Sequence, residues 1–314
     1  MKTSYYSHGK LLLTGEYLVL DGVQSLALPT QKGQWLRIAE TEDIGIHWKS
    51  LDEKDRCWFE THLLVQTEKK GSRHVISQNW MENPAHYEIE NTLVKILNVA
   101  LTLNPKFLSE KSKYRVETKL EFPINWGLGS SSTLINNIAQ WANINAYELL
   151  EKSFGGSGYD IACAQQDTAI LYQRNGIKPK ITSVNFDPPF SDQLFFVHLN
   201  QKQDSKESIK HYQSLSLKNF EKSEASIKSI THGMLSCYSL NEFRKLIDHH
   251  EEIISGIIKT RTVKSRLFSD YPGSIKSLGG WGGDFVLATG TDQEKNYFYE
   301  NGFDTIIPYH AMIL

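Results

Sequence analysis

Hydrophobic and polar residues alternate along much of the first forty residues, and this pattern predicts β-strands. Residues 3–40 are predicted to form strands, with breaks at the tight-turn pair Asp21-Gly22 and at Pro29. The alternation resumes at Trp35–Ile38. Residues 41–80 are polar with scattered aromatic side chains, so only short strands are predicted there.

Helical spacing follows in the middle of the chain, where apolar residues recur every three or four positions. This spacing predicts helices over Asn91–Leu103, Leu134–Ala142, Ala146–Ser153 and Tyr159–Ala164. Strands are predicted between and after them, at Tyr114–Leu120 and Ala169–Tyr172.

The pattern changes near Pro188-Pro189. Beyond this point the spacing predicts a strand over Leu194–Leu199 and then two long helices, Ser205–Ser236 and Leu240–Lys259. A strand over Phe285–Ala288, a helix over Gln293–Asn301 and a last strand near Ile306 are predicted to follow. The chain is therefore predicted to have an α+β fold with two domains, residues 1–187 and 188–314.

The composition restricts the partners of the protein. Lys and Arg total 34 against 36 Asp and Glu, and the formal net charge of −2 leaves no overall basic field for nucleic acid or an anionic membrane. The three cysteines form no CxxC pair, which suits a reducing compartment. No apolar run approaches the ~18 residues of a membrane span, and no apolar segment of a secretory signal is present near the N-terminus. We therefore expect a cytoplasmic protein without nucleic-acid or membrane partners.

A glycine- and serine-rich segment between a predicted strand and a predicted helix is the first candidate site. It consists of Gly127, Leu128, Gly129, Ser130, Ser131 and Ser132. Glycines let a ligand approach the backbone, and the unpaired N–H groups in the first turn of a helix favour an anion such as phosphate. A serine hydroxyl there can also reach Mg²⁺ bound to the same phosphates. The alternative is a plain helix N-cap, for which serine is favoured without any ligand.

Two further glycine-rich segments each contain an aspartate. In Gly155–Asp160, the acid lies at the start of a predicted helix and is either a capping residue or a base that orients and deprotonates an alcohol. Residues 279–284 contain four glycines and Asp284, which indicates a loop packed against a ligand or, alternatively, a flexible hairpin loop. Lys10 is either a partner for phosphate or carboxylate charge or a solvated lysine at a strand end. The histidines show no metal-binding spacing.

The order of these segments resembles that of the GHMP kinase superfamily, which includes galactokinase, homoserine kinase, mevalonate kinase and phosphomevalonate kinase. Residues 9–20 are similar to its first motif, and Pro123–Ser131 match its second, Pro-x3-Gly-Leu-Gly-Ser-Ser. The segment Ser157–Asp160 is similar to the one that carries the catalytic aspartate of the family, and residues 279–284 look like its third motif. Gly-Glu-Tyr in the first motif and Gly-Gly-Asp in the third look most like phosphomevalonate kinase.

The resemblance implies a two-lobed α+β fold, with an N-terminal lobe like ribosomal protein S5 and a ferredoxin-like C-terminal lobe with added helices. It implies that ATP phosphates bind over Gly127–Ser132, and that Mg²⁺ is shared by the phosphates, Ser131 and either Glu148 or Glu151. Asp160 would take the proton of the acceptor hydroxyl, and Lys10 would stabilise charge on the transferred group. The expected acceptor-side residues are Lys10, Glu16, Tyr17, Ser157, Gly158, Gly280 and Gly282.

The resemblance also implies the reaction: transfer of the γ-phosphoryl group of ATP to a small anionic acceptor, with phosphomevalonate first and mevalonate second. A sugar or homoserine kinase and a non-catalytic nucleotide-binding protein are the alternatives. Two departures from the family pattern bear on this choice. Trp281 stands where the third motif normally has glycine, and only 29 residues separate Ser131 from Asp160. The sequence leaves the oligomeric state open, with a homodimer as one option.

Overall fold

The structure is a computed structural model that describes residues 2–67, 74–78, 86–201, 205–215, 220–281 and 283–314. It is a mixed α+β structure, as predicted. The strands are β1 (Lys2–Leu12), β2 (Ser25–Glu40), β3 (Gly45–Leu51), β4 (Cys57–Thr67), β5 (His74–Gln78), β6 (Lys113–Leu120), β7 (Ile170–Gln173), β8 (Lys180–Ser183), β9 (Leu194–His198), β10 (Ile275–Ser277), β11 (Phe285–Thr289) and β12 (Ile306–Pro308). The helices are α1 (Tyr87–Leu103), α2 (Ser130–Ala142), α3 (Ala146–Ser153), α4 (Tyr159–Ala164), α5 (Ser205–Gln213), α6 (Phe220–Leu235), α7 (Leu240–Ile258), α8 (Val263–Leu267), α9 (Asp292–Glu300) and α10 (Tyr309–Met312).

Two compact units are each assembled from separate stretches of the chain. The first unit consists of residues 1–9, 32–124 and 129–165, and the second of residues 10–31, 125–128 and 166–314. Short stretches from the N-terminal half thus belong to the same unit as the C-terminal half. The division of the chain into two lobes, residues 1–187 and residues 188–314, stays a prediction.

The first unit is a sheet covered by helices. Its strands are hydrogen-bonded neighbours in the order β5-β4-β3-β6-β2, with β3 and β6 parallel and the other neighbours antiparallel. Helix α1 buries one apolar stripe because Leu93, Ile96, Leu97, Ala100 and Leu101 recur on one helical face. This stripe packs in a core that also contains residues of α2, α3 and the strands.

The second unit contains an antiparallel sheet in the order β10-β11-β9-β12. Every residue of β9 and β11 is buried, which explains their continuous apolar sequences. Helix α7 packs beside β10, and α10 beside β9 and β12. In the same unit the first residues of β2 pair with β7, and β7 pairs with β8.

Most predicted elements are confirmed, and those with strong helical spacing are confirmed most closely. Helices α3 and α4 have the predicted bounds, and α1, α2, α7, α9 and strands β6, β7, β9, β11 and β12 lie within a few residues of theirs. Residues 41–80 contain β3, β4 and β5, which include longer strands than expected, although residues 68–73 and 79–80 lie outside the described residues.

Three predictions of local structure were wrong. The segment that follows Tyr17 was predicted as strand but forms a 3₁₀ helix, Leu18–Asp21, which ends because Gly22 adopts a left-handed conformation. Strand β2 continues through Pro29, whose carbonyl accepts the N–H of Leu314. The predicted helix Ser205–Ser236 is interrupted after Gln213, and residues 216–219 lie outside the described residues.

Candidate functional site

In the first unit, the glycine–serine segment forms the start of α2. Gly129, at φ +92°, precedes the helix, and no side chain caps the first turn. The Ser132 hydroxyl donates to the carbonyl of Gly129 at 2.8 Å and is buried, whereas Ser130 is half-buried and Ser131 exposed. The serines therefore do not act as a conventional side-chain N-cap, and the first-turn N–H groups suit an anion.

The two candidate metal-binding glutamates lie on α3 of the same unit. The helix begins after Asn145, whose side chain accepts from the N–H groups of Tyr147 and Glu148. Glu148 is half-buried and forms an ion pair with Lys152 at 2.7 Å, while Glu151 is exposed. Because an exposed ion pair of this kind contributes little, Glu148 can exchange its partner at small cost. Both glutamates stay candidates.

Asp160 lies in the first turn of α4, two residues after Gly158, whose φ of +83° turns the chain into the helix. Its Oδ1 accepts the N–H of Ile161 at 3.1 Å, and the side chain is half-buried. Ser157 is half-buried and Gly158 buried. A carboxylate in the first turn of a helix is electrostatically favoured, which is also the reason for its alternative interpretation as a structural residue.

A polar network that is buried on α2 joins this helix to the residue after α4, and no pattern in the sequence indicates it. Asn136 donates through Nδ2 to the Ser7 hydroxyl at 2.8 Å and accepts through Oδ1 from Nε2 of Gln165 at 2.7 Å. The Ser7 hydroxyl in turn donates to Oδ1 of Asn137 at 2.8 Å. Because buried amides need such partners, the network fixes the relative position of the helices that carry Ser131 and Asp160.

In the second unit, Lys10 contacts Gly127 and Leu128 of the second motif. Its Nζ donates to the Gly127 carbonyl at 2.8 Å, and its N–H donates to the carbonyl of Leu128 at 3.0 Å. Gly127 has a φ of +66°, which favours glycine at this position. The structure thus brings the lysine of the first motif onto the backbone of the second.

The third glycine-rich segment, residues 279–284, also packs against Gly127. A Cβ atom on Gly127 would lie 2.4–2.7 Å from the carboxylate atoms of Asp284, so this side chain packs directly on the glycine. Trp281 is 5% exposed and has a φ of +24°, and Asp284 has a φ of +56°. Gly280 is buried, and Gly282 lies outside the described residues.

Glu16 is not at the surface but in a buried ionic cluster of the second unit. Its carboxylate accepts from Nζ of Lys276, which also lies 3.1 Å from Oε1 of Glu251. Nε2 of His250 accepts the N–H of Gly15 at 3.0 Å and lies 3.2 Å from Oε2 of Glu16. An acceptor and a bare carboxylate oxygen would repel at that distance, so a proton on Glu16 suits the geometry.

Burial sets the ionisation of this cluster. It raises the pKa of Glu16 to about 7, with the charge of Glu251 adding to the increase and that of Lys276 opposing it. Burial likewise raises the pKa of Glu251. It lowers the pKa of His250 well below its usual value, which keeps the imidazole neutral. The two carboxylates raise the pKa of Lys276 although burial opposes its charge. The role of Glu16 toward an acceptor stays a prediction.

Tyr17, the next residue, adopts a φ of +65° and stacks on Tyr212 of α5, with ring centroids 5.4 Å apart. The Tyr212 hydroxyl donates to the carboxylate of Asp21. Burial raises the pKa of Tyr17 to about 12. A bulky residue in the left-handed region is strained, and such strain persists only where surrounding contacts enforce it.

Within the described part of the chain, no three His, Cys, Asp or Glu side chains are grouped so that they could hold a metal ion. No described helix combines the length and apolar character that crossing a membrane requires.

The comparisons with known proteins find the fold but no close relative. No family model and no curated protein matches the chain. The Lin0012 protein from Listeria innocua has a TM-score of 0.72 at 15% identity, over 98% of this chain and 97% of that chain. The mevalonate kinase of Methanococcus jannaschii has a TM-score of 0.66 at 14% identity, over 98% and 97%. The Streptococcus pneumoniae phosphomevalonate kinase in complex with phosphomevalonate and AMPPNP has a TM-score of 0.66 at 14% identity, over 97% of this chain and 99% of that chain.

These similarities define the class of structure. The chain has the GHMP-kinase fold, as the sequence resemblance implied. At identities near 15% the likeness extends to the fold alone, since a fold does not determine the reaction or its acceptor.

Proposed function

We propose that the protein is a small-molecule kinase that transfers the γ-phosphoryl group of ATP to a small anionic acceptor. The observation that carries this proposal lies within the second unit. Lys10 donates to the Gly127 carbonyl, and the Asp284 carboxylate packs on the same glycine. Three motifs far apart in sequence therefore converge on one residue, in a chain that has the fold of known kinases.

In the proposed reaction, the hydroxyl oxygen of the acceptor forms a bond to the γ-phosphorus, and the bond from that phosphorus to the bridging oxygen of ADP breaks. Asp160 orients the hydroxyl and takes its proton. Lys10 stabilises negative charge on the transferred group. Such transfers depend mainly on positioning and electrostatic stabilisation, which these side chains supply.

The start of α2 suits the phosphates of ATP. Its first turn has no side-chain cap, and Ser131 is exposed there. We assign phosphate binding to Gly127–Ser132, and a Mg²⁺ site to Ser131 with Glu148 or Glu151. When bound, Mg²⁺ would neutralise charge on the β- and γ-phosphates. Few protein ligands are needed for this, because Mg²⁺ with a nucleotide takes most of its oxygens from phosphate and water.

For the acceptor we propose phosphomevalonate first and mevalonate second, with Lys10, Glu16, Tyr17, Ser157, Gly158, Gly280 and Gly282 on the acceptor side. Gly-Glu-Tyr in the first motif and Gly-Gly-Asp in the third support this order. A sugar or homoserine kinase is the alternative within the same fold, since a fold does not determine its acceptor.

A non-catalytic nucleotide-binding protein is the second candidate function. The observation in its favour is Trp281, which is buried in the third glycine-rich segment at a position where the family pattern has glycine. The retention of Lys10, Ser131 and Asp160 in one chain favours the kinase.

A coupled ADP-release assay tests the proposal, with Mg·ATP against mevalonate, phosphomevalonate, homoserine and a panel of hexoses. We expect acceptor-dependent turnover with phosphomevalonate or mevalonate. Turnover with only a hexose or homoserine would keep the kinase and replace the acceptor. Calorimetric binding of ATP with no turnover would favour the binding protein, and no ATP binding would reject both functions.

A further inference from the structure

Lys276 is a lysine without solvent exposure, and its charge is balanced inside the second unit. Nζ donates to the Glu16 carboxylate and to the Ser277 carbonyl, and lies 3.1 Å from Oε1 of Glu251. The Ser277 hydroxyl donates to Oε2 of Glu251 at 2.6 Å. A lysine is almost never fully buried unless it is paired, so this arrangement depends on both carboxylates.

The partners of Lys276 come from elements that are distant in sequence. Glu16 belongs to the turn of the first motif, and the N–H of Gly15 in that turn donates to His250. Glu251 and His250 are adjacent on α7, whereas Lys276 itself is the central residue of β10. The cluster therefore ties the turn of the first motif to α7 and to β10.

Strand β10 leads directly into residues 279–284. Leu278 donates its N–H to the carbonyl of Phe285 at 3.2 Å, which closes the segment between β10 and β11. Trp281 and Asp284, both at positive φ, adopt backbone conformations that cost free energy for residues other than glycine. Such conformations persist where flanking structure holds the ends of the segment, and the end at β10 is held by Lys276.

We propose that Lys276 is a positioning residue, whose contacts with the carboxyl groups of Glu16 and Glu251 hold the third glycine-rich segment in place against the turn of the first motif. This inference deepens the proposed function, because that segment carries the Asp284 carboxylate that packs on Gly127. Lys276 is buried, so it acts through the segment rather than by touching substrate.

Quenching of Trp281 fluorescence by acrylamide tests the inference without any need for activity. The Trp281 signal is obtained by subtracting the fluorescence of the same protein with Trp281→Phe from the fluorescence of the protein under study. We expect Lys276→Met to raise the quenching constant of this signal at least threefold. Lys264→Met is the matched control, because Lys264 in the same unit donates to the Gly273 carbonyl and not to the cluster. We expect no change in the control, even where its melting temperature falls.

The double variant Glu16→Gln/Lys276→Met, studied at pH 6, covers the case in which Lys276→Met alone does not fold. Glutamine cannot ionise, so the side chain at position 16 leaves no buried negative charge when Lys276 is absent, and Trp281 should still become more accessible. If either folded variant quenches like the wild type, Lys276 does not position the segment.

A kinetic measurement separates this inference from the proposed function. In the ADP-release assay we expect Lys276→Met to lose at least tenfold in kcat/KM, with the ATP dissociation constant from calorimetry changed less than twofold, while Lys264→Met keeps both values. A wild type without kinase activity would contradict the proposed function only, because the quenching result still decides whether Lys276 holds the segment. Unchanged kcat/KM in a folded, active Lys276→Met variant would contradict the positioning role.

Discussion

Gln165 donates a hydrogen bond from Nε2 to Oδ1 of Asn136 at 2.7 Å, which joins the residue after α4 to the buried side of α2. Asn136 is fully buried, and its other amide group donates to Ser7. Each helix begins with a candidate site, the serines on α2 and Asp160 on α4. This hydrogen bond is therefore part of what fixes the distance between those candidates within the first unit.

Replacement of Asn136 tests the importance of this network for stability. Asn136→Ala removes the acceptor of the Gln165 amide and the donor to the Ser7 hydroxyl, which keeps Asn137 as its own acceptor, and we expect a loss of about 1–3 kcal/mol in the free energy of unfolding. Gln140→Ala, on the exposed face of α2, is the control and should stay within about 0.5 kcal/mol of wild type. Urea unfolding measures both, and equal values for the two variants would show that the network contributes little.

The contact between Gly127 and Asp284 gives a second prediction. Gly127→Ala places a methyl group against the carboxylate and strains a backbone at φ +66°. Gly155→Ala is matched in backbone conformation, with φ +72°, but its methyl group would meet open space. We expect Gly155→Ala to cost about 1 kcal/mol and Gly127→Ala about 1–3 kcal/mol more.

Removal of the carboxylate identifies the cause of that difference. In an Asp284→Gly background, which also suits the φ of +56° at this position, Gly127→Ala should cost no more than Gly155→Ala does. Thermal unfolding of five proteins gives the comparison: wild type, Gly127→Ala, Gly155→Ala, Asp284→Gly and the double variant Asp284→Gly/Gly127→Ala. A penalty that persists without the carboxylate would assign the crowding to other atoms.

The ionic cluster gives a pH dependence. The pKa of Glu16 is raised to about 7 in the folded protein, against 4.5 for an unperturbed group. Because the folded protein holds this proton more tightly than the unfolded chain does, protonation of Glu16 stabilises the fold. This stabilisation is fully present below pH 4.5 and is lost as the pH rises through 7. His250 acts in the opposite direction, because its lowered pKa costs stability as pH falls through 6.5. In the wild type, the contributions of Glu16 and His250 to the pH dependence of stability therefore partly cancel.

Comparison with Glu16→Gln isolates the glutamate, since both proteins retain His250. Wild type should gain stability relative to the variant as pH falls from 8 to 5, by up to about 3 kcal/mol. Glu252→Gln, at an exposed position of α7, is the control for the loss of a glutamate from the same protein. Guanidinium titrations at several pH values measure the trend. A flat difference for Glu16→Gln would show that the carboxyl does not take up a proton in this range.

Asp160→Asn tests the proposed base. The amide keeps the shape of the side chain but cannot take the proton, so we expect kcat to fall about 10²–10⁴-fold with the ATP dissociation constant almost unchanged. Asp167→Asn, a nearby exposed acid, is the control and should retain activity. Full activity of Asp160→Asn would exclude the residue as base.

The sequence predicts the elements that have local causes. Helix α3 was predicted with its observed bounds from its helical spacing, and the Asn145 side chain that caps it lies directly before its first residue, so both causes are local. The 3₁₀ helix Leu18–Asp21 was missed because its apolar residues suit a strand equally well, and its contacts with the rest of the second unit decide between the two.

Prediction from local sequence has the same limit at the candidate site. Gly127 and Lys10 could be selected from sequence because each lies in a recognisable motif. Lys276 and Glu251 could not, because a lysine in a three-residue strand and a glutamate on a helix of ordinary amphipathic pattern carry no sign of burial. Only the long-range pairs that Lys276 forms with Glu16 and with Glu251 identify them.

The most direct test of the central claim is phosphorus NMR of the wild-type protein with Mg·ATP and phosphomevalonate. We expect loss of the γ-phosphate resonance of ATP together with the appearance of ADP and of a new diphosphate ester on the acceptor, and neither change with Asp160→Asn on the same timescale. Unchanged ATP and acceptor resonances here and in parallel samples with mevalonate, homoserine and hexoses would contradict the assignment of the protein as a kinase.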